Sequence, residues 1–237
     1  MPGTVIITPV ANEAPTIERQ VRLIHALGIP DMEAVFISDD HSRDGTRAIL
    51  QALARELPWV REEFFSGSTG VVSCYLYGLR RALELGADRI IEMDGGLSHD
   101  PALLPLFIKK LEEWYDCVFG SRFITDGGFK DLPWHRSLIS GGGTWLANAW
   151  LGTRLTDMTS GYEAFRRDVL IRLPLDDFLS VRTTHFYQTE MRFYCHRLKW
   201  CEVPIVFRGS TTSFTFREIY RSLSALGELR QRLPLPA

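Results

Sequence analysis

A carboxylate followed by two glycines is the first candidate for chemistry in this 237-residue chain. Residues 89–93 are apolar enough for a buried strand, and Asp94, Gly95 and Gly96 come next. Ligands of α/β proteins gather at the carboxyl ends of parallel strands, and glycines let a ligand approach the backbone closely. Asp94 is therefore a candidate for a reacting or ligand-binding role. Because aspartates are common where a strand enters a turn, a simple capping role is an equal alternative.

Polar side chains also follow the first two predicted strands. Asp39 and Asp40 come directly after the second strand, where a carboxylate could accept hydrogen bonds from a nucleotide base or a ribose. Ser42 or Asp44 is suited to cap the next helix, which does not account for the doubled aspartate. A second polar rim, beside the first strand, consists of Pro9, Asn12 and Glu13.

Two arginines and a hydroxyl form a candidate phosphate clamp. Arg122 follows a predicted strand, while Arg136 and Ser140 are one helical turn apart and can share a helix face. The guanidinium group matches the geometry of a phosphate. Surface arginines are more often simply solvated, so the spacing by itself leaves both interpretations open.

Signatures of several other functions are missing from the sequence. Residues 67–70 read Gly-Ser-Thr-Gly, without the Lys-Ser/Thr ending of a P-loop or the spacing of a GxGxxG motif. No Ser-His-Asp or Cys-His set has a supporting pattern. His99 and Asp100 follow Asp94 closely enough to suggest a metal cluster, and the alternative is that His99 is simply a turn residue. The four cysteines form no CxxC pair, which favours free thiols in a reducing compartment.

Strands and helices alternate through the first half of the chain, and the polar clusters fall after the strands. Strands are predicted at 4–7, 33–37, 60–65, 89–93 and 116–119. Helices are predicted at 16–27, 46–57, 70–85 and 101–115. The alternation predicts an α/β fold, with a doubly wound, mostly parallel sheet flanked by helices in a single domain. In the less regular second half, helices are predicted at 138–151, 189–198 and 216–229 and a strand at 202–207.

Composition and charge set further bounds. Hydrophobic residues make up 45% of the chain, enough for a sizeable core, and the net charge of −2 gives no broad footprint for nucleic acid. No signal peptide or membrane-spanning run is visible, which predicts a cytoplasmic protein, soluble or peripheral at the inner face of the membrane. The last helix has an apolar stripe that fits a core or, with nearby arginines, a membrane surface: Ile219, Leu223, Leu226 and Leu229.

Short motifs occur in order along nearly the whole chain. They are residues 8–13 (family pattern P-x-x-N-E), 39–46 (D-D-x-S-x-D-G-T), 93–101 (M-D-A-D-L-S/Q-H-x-P), 120–122, 127–128, Arg136 with Ser140, 159–161 with 165–166, 188–191 and 202–205. Each is weak alone. Their order and spacing together resemble the family-2 glycosyltransferases, most closely the dolichyl-phosphate mannose synthase branch.

The resemblance implies a GT-A fold and an inverting transfer of a hexose from a nucleotide sugar, of the GDP-mannose or UDP-glucose type, to a polyprenyl phosphate. It implies that residues 1–125 bind the nucleotide sugar, and that residues 126–237, with the C-terminal amphipathic helix, bind the acceptor. A lipid phosphate is already an anion and needs no strong base, so the enzyme mainly positions it and stabilises the departing diphosphate. A divalent cation, Mg²⁺ or Mn²⁺, would supply that stabilisation.

The resemblance also assigns roles to individual residues. Asp94 would lie beside the diphosphate and the metal. Arg122, Arg136 and Ser140 would bind the acceptor phosphate and, with Asp94, form the catalytic set. Pro9, Glu13 and Asp40 would hold the nucleotide base and ribose, and Gln188 and Glu190 would lie near the sugar. The rest of the donor-binding set would be Asn12, Asp39, Gly70 and Arg208.

Three positions depart from the family pattern. Gly96 replaces the second acid of the D-x-D motif, Ser68 replaces a basic residue, and Phe214 stands where a lysine is expected, with Arg208 a candidate to compensate. Mg²⁺ and Mn²⁺ prefer carboxylate oxygens, so a site with Asp94 and diphosphate oxygens alone would hold the metal more weakly.

These departures leave two alternatives. One is a family-2 glycosyltransferase with a soluble or non-phosphate acceptor, for which Asp100, Glu190 or Asp157 would act as the base. The other is a catalytically impaired nucleotide-sugar-binding or partner protein, motivated by Gly96.

Overall fold

A seven-stranded sheet forms the centre of the molecule. The computed structural model describes residues 1–182, 186–209 and 216–236. The sheet strands are β1 (Thr4–Val10), β2 (Met32–Ser38), β3 (Val60–Phe64), β4 (Arg89–Glu92), β5 (Cys117–Ser121), β7 (Glu163–Arg166) and β8 (Trp200–Pro204). They lie in the order β3-β2-β1-β4-β7-β5-β8. A small second sheet pairs β6 (Gly128–Lys130) with β9 (Val206–Arg208).

The helices of the described residues connect these strands. They are α1 (Ile17–Ala26), α2 (Thr46–Glu56), α3 (Val71–Glu84), α4 (Leu104–Glu112), α5 (Trp134–Leu151), α6 (Arg167–Arg172), α7 (Tyr187–Cys195) and α8 (Phe216–Leu229), with short 3₁₀ turns at Pro101–Leu103 and Leu179–Arg182. Apolar clusters cover both faces of the sheet. The expected single α/β domain with a mostly parallel sheet is therefore confirmed.

Glycine at position 78 brings α3 close to the sheet. A Cβ at Gly78 would lie 2.3 Å from Cγ2 of Ile7 on β1, a distance that no side chain tolerates. The close approach places Tyr75, one turn earlier on α3, against the carboxyl end of the sheet. The sequence pattern predicted the helix but not its distance from the strands.

The second half of the chain differs from the sequence-based expectation in several places. The strand expected at 202–207 is divided between β8 and β9, which belong to different sheets. Strand β7 was not predicted, and it runs antiparallel between β4 and β5. Strand β6 begins at Gly128, where only a turn was expected. Helix α5 begins at Trp134, four residues earlier than predicted, and continues through Gly141, Gly142 and Gly143. In the described part of the chain, no helix is both long and apolar enough to cross a membrane.

Candidate active site

A cleft of about 760 Å³ opens at the carboxyl ends of the central parallel strands. The structure brings most of the predicted site residues to its lining: Pro9, Glu13, Asp39, Gly70, Asp94, Arg122, Arg136, Ser140 and Gln188. The remaining four predicted residues, Asn12, Asp40, Glu190 and Arg208, lie outside that lining. The cleft therefore unites residues from both halves of the sequence.

Asn12 joins the loops that follow β1 and β2. Its backbone has a positive φ of 60°, its side-chain amide donates to the His41 carbonyl at 3.0 Å, and its side-chain oxygen accepts from the Arg43 amide at 2.9 Å. The next residue, Glu13, donates its amide to Thr46 Oγ1 at 2.7 Å. Asn12 thus positions the loops that carry Glu13 and Asp39 and does not itself line the cleft.

The doubled aspartate separates into a buried and an exposed residue. Asp39 lines the cleft and accepts hydrogen bonds from Ser68 Oγ at 2.6 Å and from the His41 amide at 3.0 Å. Burial works to raise the pKa of Asp39, but these hydrogen bonds outweigh it and hold the pKa below its ordinary value. Asp40 is exposed and lies outside the lining. Of the two, Asp39 is the one suited to receive hydrogen bonds from a ligand.

Asp94 is held in place by three neighbours. Its carboxylate accepts a hydrogen bond from the Tyr75 hydroxyl. Its carbonyl accepts from Gln20 at 3.1 Å, and its amide donates to Nδ1 of His99 at 3.1 Å. About a third of the side chain is exposed to the cleft. Asp94 is thus fixed and accessible, which a capping residue alone would not require.

His99 organises the Asp94 turn from within the protein. Nδ1 accepts from the Asp94 amide, so the proton of the neutral ring lies on Nε2, which is 3.7 Å from the Asp94 carboxylate. Burial lowers the pKa of His99, although the Asp94 charge opposes that shift. The ring stacks on Tyr162 with centroids 4.8 Å apart. With Nδ1 occupied, His99 is a turn residue and not the metal ligand that its spacing suggested.

Arg122 forms a buried bidentate ion pair with Asp157. Its Nε and Nη2 lie 2.7 Å and 2.8 Å from the two carboxylate oxygens, and Nη2 also donates to Thr159 Oγ1 at 2.5 Å. The guanidinium stacks over Phe129 at 4.9 Å. Burial acts to raise the pKa of Asp157, but Arg122 outweighs it and lowers that pKa. The sequence pointed to both residues but not to their pairing.

Helices α5 and α8 form the second wall of the cleft. Arg136 and Ser140 line it from α5, as their spacing predicted. Around them the lining is apolar: Leu132, Ile139, Leu146, Leu223 and Leu226. The cleft therefore combines a polar floor at the strand ends with a wall that carries both an arginine and apolar side chains. The stripe on α8 faces inward at Leu226 and Leu229, and the side chain of Ile219 lies outside the described residues.

Two predicted donor contacts are turned away from the cleft. The buried Glu190 carboxylate accepts from the backbone amides of Leu179 and Ser180 at 2.9 Å and 2.8 Å. Arg208 donates its amide to the Ser98 carbonyl at 3.0 Å, and its side chain is exposed outside the lining. The Glu190 carboxylate is not available to a ligand, because it accepts hydrogen bonds from backbone amides that would otherwise be unsatisfied. Phe214, the third departure from the family pattern, lies outside the described residues.

The carboxylates fit a divalent cation that takes its other ligands from a diphosphate. In residues 1–182, 186–209 and 216–236, no group of three or more His, Cys, Asp or Glu is placed to hold a metal by itself. Three carboxylates, Glu13, Asp39 and Asp94, line the cleft, and the Glu13 side chain lies over the two glycines that follow Asp94. Because Mg²⁺ is usually bound by one or two carboxylates plus substrate phosphates, this donor set is sufficient.

The fold is that of the GT-A glycosyltransferases. Glucosyl-3-phosphoglycerate synthase from Mycobacterium tuberculosis in complex with UDP superimposes with a TM-score of 0.68 at 17% identity, over 100% of this chain and 82% of that one. A mannosyltransferase from Pyrobaculum calidifontis in complex with GDP-Man and Mn²⁺ gives a TM-score of 0.62 at 16% identity, over 99% of this chain and 66% of that one. These likenesses establish the shared fold.

The sequence places the chain within one family of that class. Residues 5–173 match the model of glycosyl transferase family 2, and the chain belongs to this family. Undecaprenyl-phosphate mannosyltransferase from Micrococcus luteus is 35% identical over 76% of this chain and 73% of its own length. Polyprenol monophosphomannose synthase from Mycolicibacterium smegmatis is 29% identical over 86% of this chain and 77% of its own length. The resemblance stated from the motifs is therefore confirmed.

Proposed function

We propose that this enzyme transfers a hexose, mannose by its likeness to the two relatives, from a nucleotide sugar to a polyprenyl phosphate. The observation that carries the proposal is the joint lining of the cleft. Asp39 and Asp94 lie on the polar floor, while Arg136 and Ser140 stand among apolar side chains on the other wall. An acceptor with an anionic head and a hydrocarbon tail needs this combination of charge and apolar surface.

The cleft holds what the transfer to a phosphate requires. Arg136 and Ser140 would donate hydrogen bonds to the acceptor phosphate, and Arg122, whose charge is balanced by Asp157, lines the floor of the same cleft. Carboxylates of the cleft, together with the diphosphate of the donor, would hold a divalent cation, which would supply Lewis-acid stabilisation of the leaving group.

Gln188 and Asp94 approach each other at Gly161. A Cβ at Gly161 would lie 3.2 Å from Gln188 Nε2 and 3.4 Å from Asp94 Oδ1. Because Asp94 is the residue assigned to the diphosphate, Gln188 would contact the sugar that is attached to it.

A hydroxyl acceptor is less well served by these residues. It would need a general base, and the three candidates are all engaged elsewhere. Asp100 accepts from the Ala102 amide at 3.0 Å, Asp157 pairs with Arg122, and Glu190 accepts from the amides at 179 and 180. The engagement of these carboxylates favours an acceptor that already carries its negative charge.

The exposed face of α5 supports contact with a membrane surface. Trp134, Leu138 and Trp145 are 76%, 62% and 72% exposed. Their spacing places them on one side of the helix, opposite Ser140 and the rest of the cleft-lining face. Tryptophans are enriched where proteins meet the headgroup region of a bilayer. Helix α5 would then lie between the lipid, from which the acceptor comes, and the cleft that receives its phosphate.

Radiolabelled sugar transfer tests the proposal directly. The protein is incubated with Mn²⁺ and labelled GDP-mannose or UDP-glucose, and with a polyprenyl phosphate, the matching polyprenol or a soluble sugar acceptor. Label that enters the organic phase only with the phosphorylated lipid supports the proposal. Transfer to the polyprenol or to the soluble acceptor alone would contradict it. Tight donor binding without transfer to any acceptor would instead favour the impaired, nucleotide-sugar-binding alternative.

A further inference from the structure

Gly96 occupies the position of the second acid of the D-x-D motif, and another carboxylate fills the space beside it. The backbone at Gly96 has a φ of 74°. A Cβ built there would lie 2.5 Å from Oε2 and 2.8 Å from Oε1 of Glu13. Both distances are too short for non-bonded atoms. The Glu13 carboxylate therefore stands in the volume that a side chain at position 96 would enter.

Glu13 is held in this place by its neighbours. Thr16 Oγ1 donates to Oε2 at 3.1 Å, and the Glu13 amide is fixed by Thr46 at 2.7 Å. A Cβ at Gly95 would lie only 3.4 Å from Cγ of Glu13, so the side chain passes directly over the two glycines. The glycines that follow Asp94 thus make room for a carboxylate that arrives from the loop after β1.

The carboxylates brought together here are of the type that binds a divalent cation. Glu13 and Asp94 both line the cleft, and the Glu13 side chain lies over the two glycines that follow Asp94. Carboxylate oxygens are the protein ligands that Mg²⁺ and Mn²⁺ prefer.

We propose that Glu13 supplies the second carboxylate of the divalent-cation site and replaces the acid that Gly96 lacks. The resemblance to the family assigned Glu13 to the nucleoside of the donor; the position of its carboxylate over Gly95 and Gly96 assigns it to the cation beside Asp94. The inference rests on the proposed function only in that the diphosphate of a nucleotide completes the coordination of the cation.

Binding of Mn²⁺ tests the inference without any need for turnover. Free Mn²⁺ is followed by its electron paramagnetic resonance signal during titration of the protein, in the presence of GDP and separately of UDP. Loss of a group that only orients a metal ligand typically weakens metal binding about 10- to 100-fold, so loss of a direct ligand in Glu13→Gln should weaken it at least about 10-fold. Glu18→Gln removes an exposed carboxylate that pairs with Arg22 outside the cleft, and this variant should bind Mn²⁺ like the wild type.

A second variant moves the carboxylate to the family position. Glu13→Ala empties the space over Gly96, and aspartate tolerates positive φ better than most residues. The double variant Glu13→Ala/Gly96→Asp should therefore bind Mn²⁺ at least about 10-fold more tightly than Glu13→Ala. Thermal melting without metal checks that each variant is folded.

Three results would overturn the inference. The first is that Glu13→Gln binds Mn²⁺ as tightly as the wild type, and the second is that the double variant binds Mn²⁺ no better than Glu13→Ala. The third is that Glu13→Gln weakens the binding of GDP and of UDP equally in EDTA, which would place Glu13 on the nucleoside. None of these measurements includes a lipid acceptor. A failure to transfer sugar to polyprenyl phosphate would therefore leave them interpretable, and the two proposals can fail separately.

Discussion

Arg122 and Asp157 form a bidentate ion pair beneath the cleft, with side chains that are only 6% and 0% exposed. The two residues come from turns 35 positions apart in sequence. Because a lone guanidinium would be poorly solvated there, each charge depends on the other. The pair fixes the floor of the cleft beside Thr159 and so couples stability to the geometry of the site.

Removing Asp157 should destabilise the fold strongly. Asp157→Ala leaves a buried guanidinium unpaired, and we expect a loss of about 3–5 kcal/mol in the free energy of unfolding by urea. The pKa of Asp157 is lowered in the folded state, so its contribution is present above the ordinary value of 3.8 and is lost as the pH falls through the lowered pKa. Asp176→Ala breaks an exposed pair with Arg80 and should cost less than about 1 kcal/mol. Equal losses in both variants would contradict the argument.

Arg136 should matter for the acceptor more than for the donor. Hydrogen bonds to charged groups contribute about 1.5–3 kcal/mol, so Arg136→Ala should lower kcat/KM for polyprenyl phosphate by about 10- to 150-fold. The affinity for the nucleotide sugar, measured by calorimetry, should change little. Arg154→Ala removes an exposed arginine beyond the end of α5 and outside the cleft lining, and should retain wild-type kinetics. An Arg136→Ala enzyme with wild-type kcat/KM would exclude the clamp.

Tyr75 should position the carboxylate of Asp94. Tyr75→Phe removes the hydroxyl that donates to Asp94 while it preserves the ring stacked on Tyr187 at 5.4 Å. The loss of a hydrogen bond to a charged acceptor should reduce kcat/KM about 10-fold or more. Tyr77→Phe, on the same helix, removes a hydroxyl that donates to Glu63 at 2.8 Å away from the cleft. A similar effect in both variants would show that the loss is general and not specific to Asp94.

The exposed tryptophans of α5 should control binding to vesicles. We expect Trp134→Ser/Trp145→Ser to reduce co-sedimentation with anionic phospholipid vesicles several-fold, because interfacial tryptophans anchor proteins at the headgroup level. Transfer to a short-chain, water-soluble polyprenyl phosphate should be retained. Trp114→Ser is the matched control, since Trp114 is 70% exposed but packs on Arg166 at the other end of β4 and β7. Unchanged sedimentation of the double variant would contradict the proposed membrane face.

The sheet and the general position of the cleft could be predicted from the sequence because they depend on local patterns. Apolar runs identify buried strands, and the carboxyl ends of parallel strands meet at one edge of a sheet. That rule predicted that Asp39 and Asp94 lie close to one another. Arg136 was predicted separately, from its spacing on a helix, and it lines the same cleft. The assignment of residues 1–125 to the donor and 126–237 to the acceptor stays a prediction.

Structural features that depend on contacts with residues distant in sequence could not be predicted. Strand β7 is short and begins with Glu163, whose burial is made tolerable by Arg192, 29 residues later in the chain. Asp39 rather than Asp40 faces the cleft because Ser68, from another loop, holds it there. Glu190 belongs to the polar motif of its helix, but its carboxylate accepts hydrogen bonds from the backbone amides of a neighbouring turn. In each case the deciding group is remote in sequence.

Glu92 should make the fold less stable as the pH rises. It is buried, and Tyr187 donates to it at 2.6 Å. Burial, with the nearby charge of Glu163, raises its pKa well above 4.5, although Tyr187 and Arg192 oppose the shift. Since the folded state holds this proton more tightly than the unfolded state, its stabilising effect is complete below about pH 4.5 and is lost as the pH rises through the folded pKa.

Glu92→Gln keeps the shape and hydrogen-bonding capacity of the neutral side chain and removes its titration. The wild type should therefore lose more free energy of unfolding than the variant between about pH 5 and about pH 8, measured by urea unfolding at each pH. Glu163, whose own pKa is raised to about 7, shifts stability in the same direction but is present in both proteins. Glu112→Gln, an exposed carboxylate that pairs with Arg89, should follow the wild-type curve. Parallel curves for the wild type and Glu92→Gln would mean that Glu92 is already ionised at neutral pH, and would contradict this prediction.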